Sequence, residues 1–189
     1  MIRFEMQDYR EIGLSKVQPV EVERCAGYRF NCNAIHGLYL ISARNAGKSL
    51  LIRLKDSEGA LLSEIEFWAG AMASMLDSFA GFDCVSYPPS SEKRNYYLAR
   101  KLAEVVADRA GLPVHEHYHN NHPRGNRATI TAKLAEVKDY SFVETEGECK
   151  NILVVDDAIS TRKTADACIS AAGNRSLFWL FLYASKSNG

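Results

Sequence analysis

The chain has 189 residues, 47% of them hydrophobic, which is enough for one well-packed core of ordinary size. Lys plus Arg and Asp plus Glu each total 23, so the formal net charge is zero and the chain is not built to coat nucleic acid or an anionic membrane. Met1-Ile2-Arg3-Phe4-Glu5 starts without a basic segment leading into an apolar run, and no stretch of about 18 apolar residues occurs, so a cytoplasmic protein that neither spans a membrane nor is secreted is expected.

From Ala34 to Gly59, two apolar-rich runs flank Asn45-Ala46-Gly47, which predicts a hairpin covering one sheet edge. Inside it, "SARNAGKS" ends like a phosphate-binding loop. Ser42 stands where the first glycine must be, however, and the segment is expected to join two strands instead of opening a helix. Between Leu61 and Phe79 the residues Leu61, Ile65, Trp68, Met72, Met75 and Phe79 recur at helical spacing and predict an amphipathic helix. "FDCVSY" predicts a short strand running into Pro88-Pro89. A second helix follows from about Ser91 to Ala110, with Leu98, Leu102, Val105 and Val106 facing inward and Gly111 as its stop. "LPVHEHYH" is strand-like, "NNHPRGNR" is a polar loop, and Ala128 to Val143 suits loop, helix or strand. The last unit is a strand from Ile152 to Val155, a turn, a helix from about Lys163 to Ala172, and a strand from Leu177 to Tyr183 apolar enough to be buried on both faces. Without repeats or linkers, residues 1–189 read as one α/β domain with a mainly parallel sheet flanked by helices, 1–60 forming a hairpin and hood and 61–189 the core.

Five cysteines, Cys25, Cys32, Cys84, Cys149 and Cys168, are an odd number without a regular framework, as expected of reduced thiols that fill a core. Cys25 and Cys32 with His36 lack the paired spacing of structural zinc sites. His115, His117 and His119 alternate, so on one strand they share a face, with His122 just beyond. Such a row suits zinc or nickel, and solvated edge residues explain it as well.

"NILVVDDAISTRKTADACISAAG", Asn151 to Gly173, ends a buried strand on two acids. In an open parallel sheet the ligand crevice lies beyond the carboxyl ends of the strands, which puts Asp156 and Asp157 at the crevice. The backbone N–H groups of the following turn, with the hydroxyls of Ser160, Thr161 and Thr164, suit a phosphate at the positive end of a helix. Carboxylates accept hydrogen bonds from vicinal hydroxyls, so a ribose 5-phosphate group meets both requirements.

"ILVVDDAISTRKT" resembles the phosphoribosyl pyrophosphate signature of type I phosphoribosyltransferases: four apolar residues, two acids, then Thr-Gly-x-Thr. Arg162, followed by Lys163, stands where that family carries glycine. A glycine there lets the backbone approach the phosphate or take a positive φ, which a side chain hinders. "YPPSSEKRNYYLARKLAEVVADRAGLPV" is similar to the proline and arginine segment of competence-protein-F-type phosphoribosyltransferases, with Pro88, Arg94 and Tyr96 in matching places. "LIRLKDSEG" resembles that family's Leu-Lys segment, and "AKLAEVKDYSFVETEGECKNILVVDD" its approach to the signature. The likeness runs from about Leu50 to Ala184 and lacks the amino-terminal zinc ribbon.

This resemblance implies a Rossmann-like phosphoribosyltransferase fold and a ligand that is phosphoribosyl pyrophosphate or a ribonucleotide. It implies that Asp156 and Asp157 hold ribose hydroxyls, one also serving as general base or oxocarbenium stabiliser. Ala158, Ile159, Ser160, Thr161, Arg162, Lys163 and Thr164 would wrap the 5-phosphate, and Lys93, Arg94 and Arg127 would bind pyrophosphate. Magnesium would be held through substrate oxygens or water with help from Asp156 and Asp157. The family's mobile loop would bring Arg124 and Arg127 over the pyrophosphate and set the histidines along the cleft. Lys93, Arg94, Arg100 and Lys101 also suit a solvated helix face, Lys93 and Arg94 being the better candidates for the site. Tyr28, Phe30 or Tyr39 would stack on an acceptor base, or simply pack in the core. A homodimer is common for the fold. Two rivals stand beside the transferase: a ribose-phosphate-binding module of competence type serving DNA uptake, processing or regulation, and a hydrolase on the same fold.

Overall fold

The most apolar runs of the sequence are laid side by side at the centre of a six-stranded sheet. The computed structural model describes residues 28–32, 35–42, 50–52, 54–55, 62–76, 78–90, 97–122, 138–145 and 148–184. In chain order the elements are β1 (Tyr28–Cys32), β2 (Ile35–Ser42), α1 (Leu62–Ala73), β3 (Cys84–Ser86), α2 (Leu98–Ala110), β4 (Val114–His115), β5 (Tyr118–Asn120), β6 (Tyr140–Phe142), β7 (Asn151–Ile159), α3 (Lys163–Ala172) and β8 (Ser176–Ala184). The sheet order is β1-β2-β8-β7-β3-β4. Every neighbouring pair in it is parallel except β1 with β2, so the expected α/β class and mainly parallel sheet are observed. β5 and β6 form a separate antiparallel ribbon.

Alternation along β7 divides the core in two. Leu153 and Val155 pack with Trp68 and Met72 of α1 and with Leu102 and Val106 of α2. Ile152 and Val154 face the other way, onto Ala165, Cys168 and Ala172 of α3 and Tyr118 and Tyr140 of the ribbon. Each fully buried large apolar side chain in these layers contributes about 1.5–3 kcal/mol relative to exposure. Ile65, Trp68, Met72 and Met75 are buried as the helical spacing predicts, and so are Leu98, Leu102 and Val106. α2 ends as expected: Gly111 takes the left-handed conformation at φ 65° and donates its N–H to Ala107 and Asp108 carbonyls. β8 is buried from Trp179 through Ala184, the two-sided burial predicted for it. Among the described residues no helix is long and apolar enough to cross a membrane.

Several boundaries differ. The hairpin lies earlier than Asn45-Ala46-Gly47 suggests: β1 pairs with β2 from Tyr28↔Tyr39 to Cys32↔Ile35. The run after Asn45-Ala46-Gly47 is helical at residues 50–52 and 54–55, so "SARNAGKS" leads from a strand to helical residues, not to a second strand. Leu, Ile and Lys serve a helix as readily as a strand, and periodicity does not separate the two in so short a run. Residues 28–32 and 35–42, expected within a hood, are ladder-paired into the main sheet through β2 and β8. That junction is close: a Cβ at Gly37 would strike the Trp179 carbonyl oxygen and come within 2.7 Å of the Trp179 Cβ.

Candidate functional site

After β3 the chain moves outward to β4, whereas after β7 it moves the other way to β8, so the direction of winding reverses between β3 and β7. The crevice at such a switch point, beyond the carboxyl ends of the strands, is where open α/β sheets bind ligands. The last β3–β7 pair is Ser86↔Val154, while β7 stays paired to β8 through Ile159↔Ala184. Residues 155–159 therefore overhang β3. The strand does not stop at Val155 as the sequence suggests. Asp156 and Asp157 lie within it, because β8 continues to supply ladder partners.

Adjacent strand residues point to opposite faces, so the two acids part company. Alternation puts Asp156 on the α3 face and Asp157 on the α1 and α2 face. Both are buried, each 6% exposed. Asp157 finds a cation: Lys55 Nζ lies 2.8 Å from its Oδ2. Asp156 Oδ1 accepts the Asp157 backbone N–H at 2.7 Å. Burial, and then the neighbouring Asp157 charge, push the Asp156 carboxyl up to about 8, against the opposing pull of Lys55.

Beyond Asp156 opens a small, solvent-open recess lined by Asp156, Ala158, Ile159, Ser160, Thr161, Arg162, Thr164, Ala165 and Phe181. Its floor is the end of β7 and its wall the first turn of α3, whose leading N–H groups have no intrahelical acceptor. The turn closes because Arg162 takes the left-handed conformation at φ 62°, the only non-glycine among the described residues with positive φ. Its carbonyl accepts the Asp166 N–H at 2.8 Å and starts the helix. The hindrance expected of a side chain there did not prevent the glycine-like backbone. It carries instead a strain of about 1–2 kcal/mol.

No family model matches the chain, and no curated protein matches it.

Of the residues that the sequence singled out, Asp156, Ala158, Ile159, Ser160, Thr161, Arg162 and Thr164 are brought together in the recess. Asp157 and Lys163 do not line it, Asp157 because it faces Lys55. Lys93, Arg94, Arg124, Arg127 and Cys25 lie outside the described residues, as do the side chains of Tyr28, Phe30 and Cys32. Arg100 and Lys101 both pair with Glu104 at 2.9 Å on the surface of α2, the solvated-face reading. Tyr39 packs against the α3-side core. The histidine row is broken: β4 belongs to the main sheet and β5 to the ribbon, so His117 is buried while His119 and His122 are exposed.

Three residues of the site were not anticipated. Phe181 pairs with Asp156 across the ladder. Lys55 was visible only inside the Leu-Lys segment "LIRLKDSEG". Tyr97 donates its O–H to the Pro88 carbonyl at 2.7 Å, tying the proline loop to the start of α2. Burial, then the charges of Asp156 and Asp157, hold the Tyr97 phenol well above its ordinary range, so it stays a hydrogen-bond donor.

Proposed function

We propose that this protein binds phosphoribosyl pyrophosphate, or the corresponding ribonucleotide, at the carboxyl end of β7 and transfers the phosphoribosyl group to or from a nitrogen nucleophile. The observation that carries the reading is the backbone at Arg162: the position where the resembled signature has glycine keeps a positive φ despite its side chain. A strained conformation of this kind persists only where the surroundings enforce it, and such residues cluster at ligand clamps. The recess is lined by the hydroxyl residues Ser160, Thr161 and Thr164, and the amino end of α3 supplies amides and a favourable dipole for an anion.

In the forward reaction the bond from the anomeric carbon to pyrophosphate breaks, the bond to nitrogen forms, and the nitrogen gives up a proton. Asp156, raised by burial, is basic enough near pH 8 to take that proton and close enough to the cradle to stabilise an oxocarbenium centre. The open recess and the hard carboxylate oxygen of Asp156 fit a magnesium that keeps most of its waters and is held largely through substrate oxygens. When bound, that ion would neutralise pyrophosphate. Asp157 is already neutralised by Lys55 and contributes through the ion pair.

A non-catalytic binding module is favoured by that same ion pair, which occupies one of the two acids. Turnover separates the readings. Incubation with phosphoribosyl pyrophosphate, magnesium and a panel of bases is expected to release pyrophosphate, and saturable calorimetric binding without release identifies the module. Unchanged affinity in both Asp156→Asn and Thr161→Ala would overturn both.

A further inference from the structure

We propose that Cys84, His117 and Cys149 form a zinc site that fastens the β5–β6 ribbon to the main sheet. Their ligand atoms all lie within 4.8 Å of one another, and all three residues are buried. A tetrahedral zinc with Zn–S of about 2.3 Å and Zn–N of about 2.0–2.1 Å separates a nitrogen from a sulfur by about 3.5 Å. Cys84 Sγ and His117 Nε2 are 3.4 Å apart. The Cys149 sulfur lies within 4.8 Å of both of these atoms. Two thiolates and a neutral imidazole select a soft or borderline cation over magnesium, and two thiolates cancel the charge of a divalent ion, which burial requires.

The ligands are held ready. His117 Nδ1 lies 3.0 Å from the Val143 carbonyl, so its N–H is used there and the Nε2 lone pair faces the thiols. The Val143 N–H returns a bond of 2.7 Å to the His117 carbonyl, and the imidazole stacks on Phe142 at 4.6 Å. On the other side, Asp83 Oδ2 accepts the N–H groups of Lys150 and Asn151 at 2.8 Å each, fixing the segment that carries Cys149. The fully buried Tyr118 hydroxyl of the same ribbon has no hydrogen-bond partner among the described residues. Among the described residues no fourth His, Cys, Asp or Glu joins the three, and a water would complete the tetrahedron. Ile152, the partner of Cys84, lies four positions before Asp156, about 13 Å along β7, so this is a structural centre apart from the acids.

The test uses the full chain, reduced and stripped with chelator. One equivalent of Co2+ is expected to bind with a thiolate-to-metal charge-transfer band and the intense visible bands of tetrahedral cobalt. Zinc should bleach both and raise Tm. Cys149→Ser, outside the sheet ladder, should lower cobalt affinity at least 100-fold. X-ray absorption on zinc-loaded wild type, which needs no variant, should show a sulfur shell near 2.3 Å. A metal shell without sulfur, a cobalt band unchanged in Cys149→Ser, or recovery of Cys84 and Cys149 as a disulfide from freshly purified chain would overturn the site.

Discussion

Lys55 reaches Asp157 from a different part of the chain, with Nζ 2.8 Å from Oδ2, and the two sides of the pair differ in their surroundings: the lysine is 38% exposed and the aspartate 9%. Removing the lysine strands a buried carboxylate, whereas removing both partners does not. Lys55→Met should therefore cost about 2 kcal/mol, between the values for exposed and fully buried pairs. Asp157→Asn in the same background should recover much of that loss. Urea unfolding of the two singles and the double gives the coupling directly, and simple additivity would mean that the pair contributes nothing.

Asp156 predicts a pH dependence. Its folded value, pushed up to about 8, lies above that of the unfolded chain, so the folded state holds a proton that the unfolded state has released. Below the unfolded value both states are protonated and nothing is lost. As pH rises from about 4 to about 8 the difference grows, with a slope of at most about 1.4 kcal/mol per pH unit for one proton, and it levels off above that. Stability of wild type relative to Asp156→Asn should fall across this window. Chemical melts at pH 5, 7 and 9 check it; parallel curves would show that Asp156 titrates normally.

Arg162→Gly should relieve backbone strain and raise stability by about 0.5–1 kcal/mol after allowing for the greater freedom of unfolded glycine. The same substitution removes a cation from the recess, so affinity for phosphoribosyl pyrophosphate should fall by calorimetry even as Tm rises. A rise in both would mark Arg162 as an obstacle to the ligand.

Gly37→Ala tests the junction of β2 with β8. The added methyl meets backbone at Trp179, which cannot swing aside as a flexible side chain does. A loss of about 1–3 kcal/mol is expected, and hydrogen exchange should quicken first at the β2 amides. Gly70→Ala offers a contrast, since the atoms nearest its new methyl belong to the Arg109 guanidinium, the end of a movable side chain.

The parts legible in the sequence were those whose pattern was local. Ile152 to Val155, the hydroxyl turn and Gly111 each carry their own signal, and the structure has strand, recess and helix stop at those positions. What was not legible depends on long-range partners. Whether residues after Val155 continue a strand is decided by β8, twenty residues on. Lys55 and Asp157 are brought together by folding, with nothing in either segment to announce it. The Cys84, His117 and Cys149 cluster comes from three separate segments, so spacing arguments directed at Cys25, Cys32 and the histidine row passed over it. "LLIRLK" failed for a different reason: its apolar run is too short for strand and helix periods to diverge.

Because neighbouring residues of β7 look out from opposite sides of the sheet, no guest lying on a single side touches both carboxylates. Whatever settles in the recess meets Asp156, and it senses Asp157 through the shared backbone, where the amide of one is the donor to the other. The strand thereby becomes a partition with a single crossing point, and loading on the α3 side should register as a change in how firmly Lys55 is held on the other.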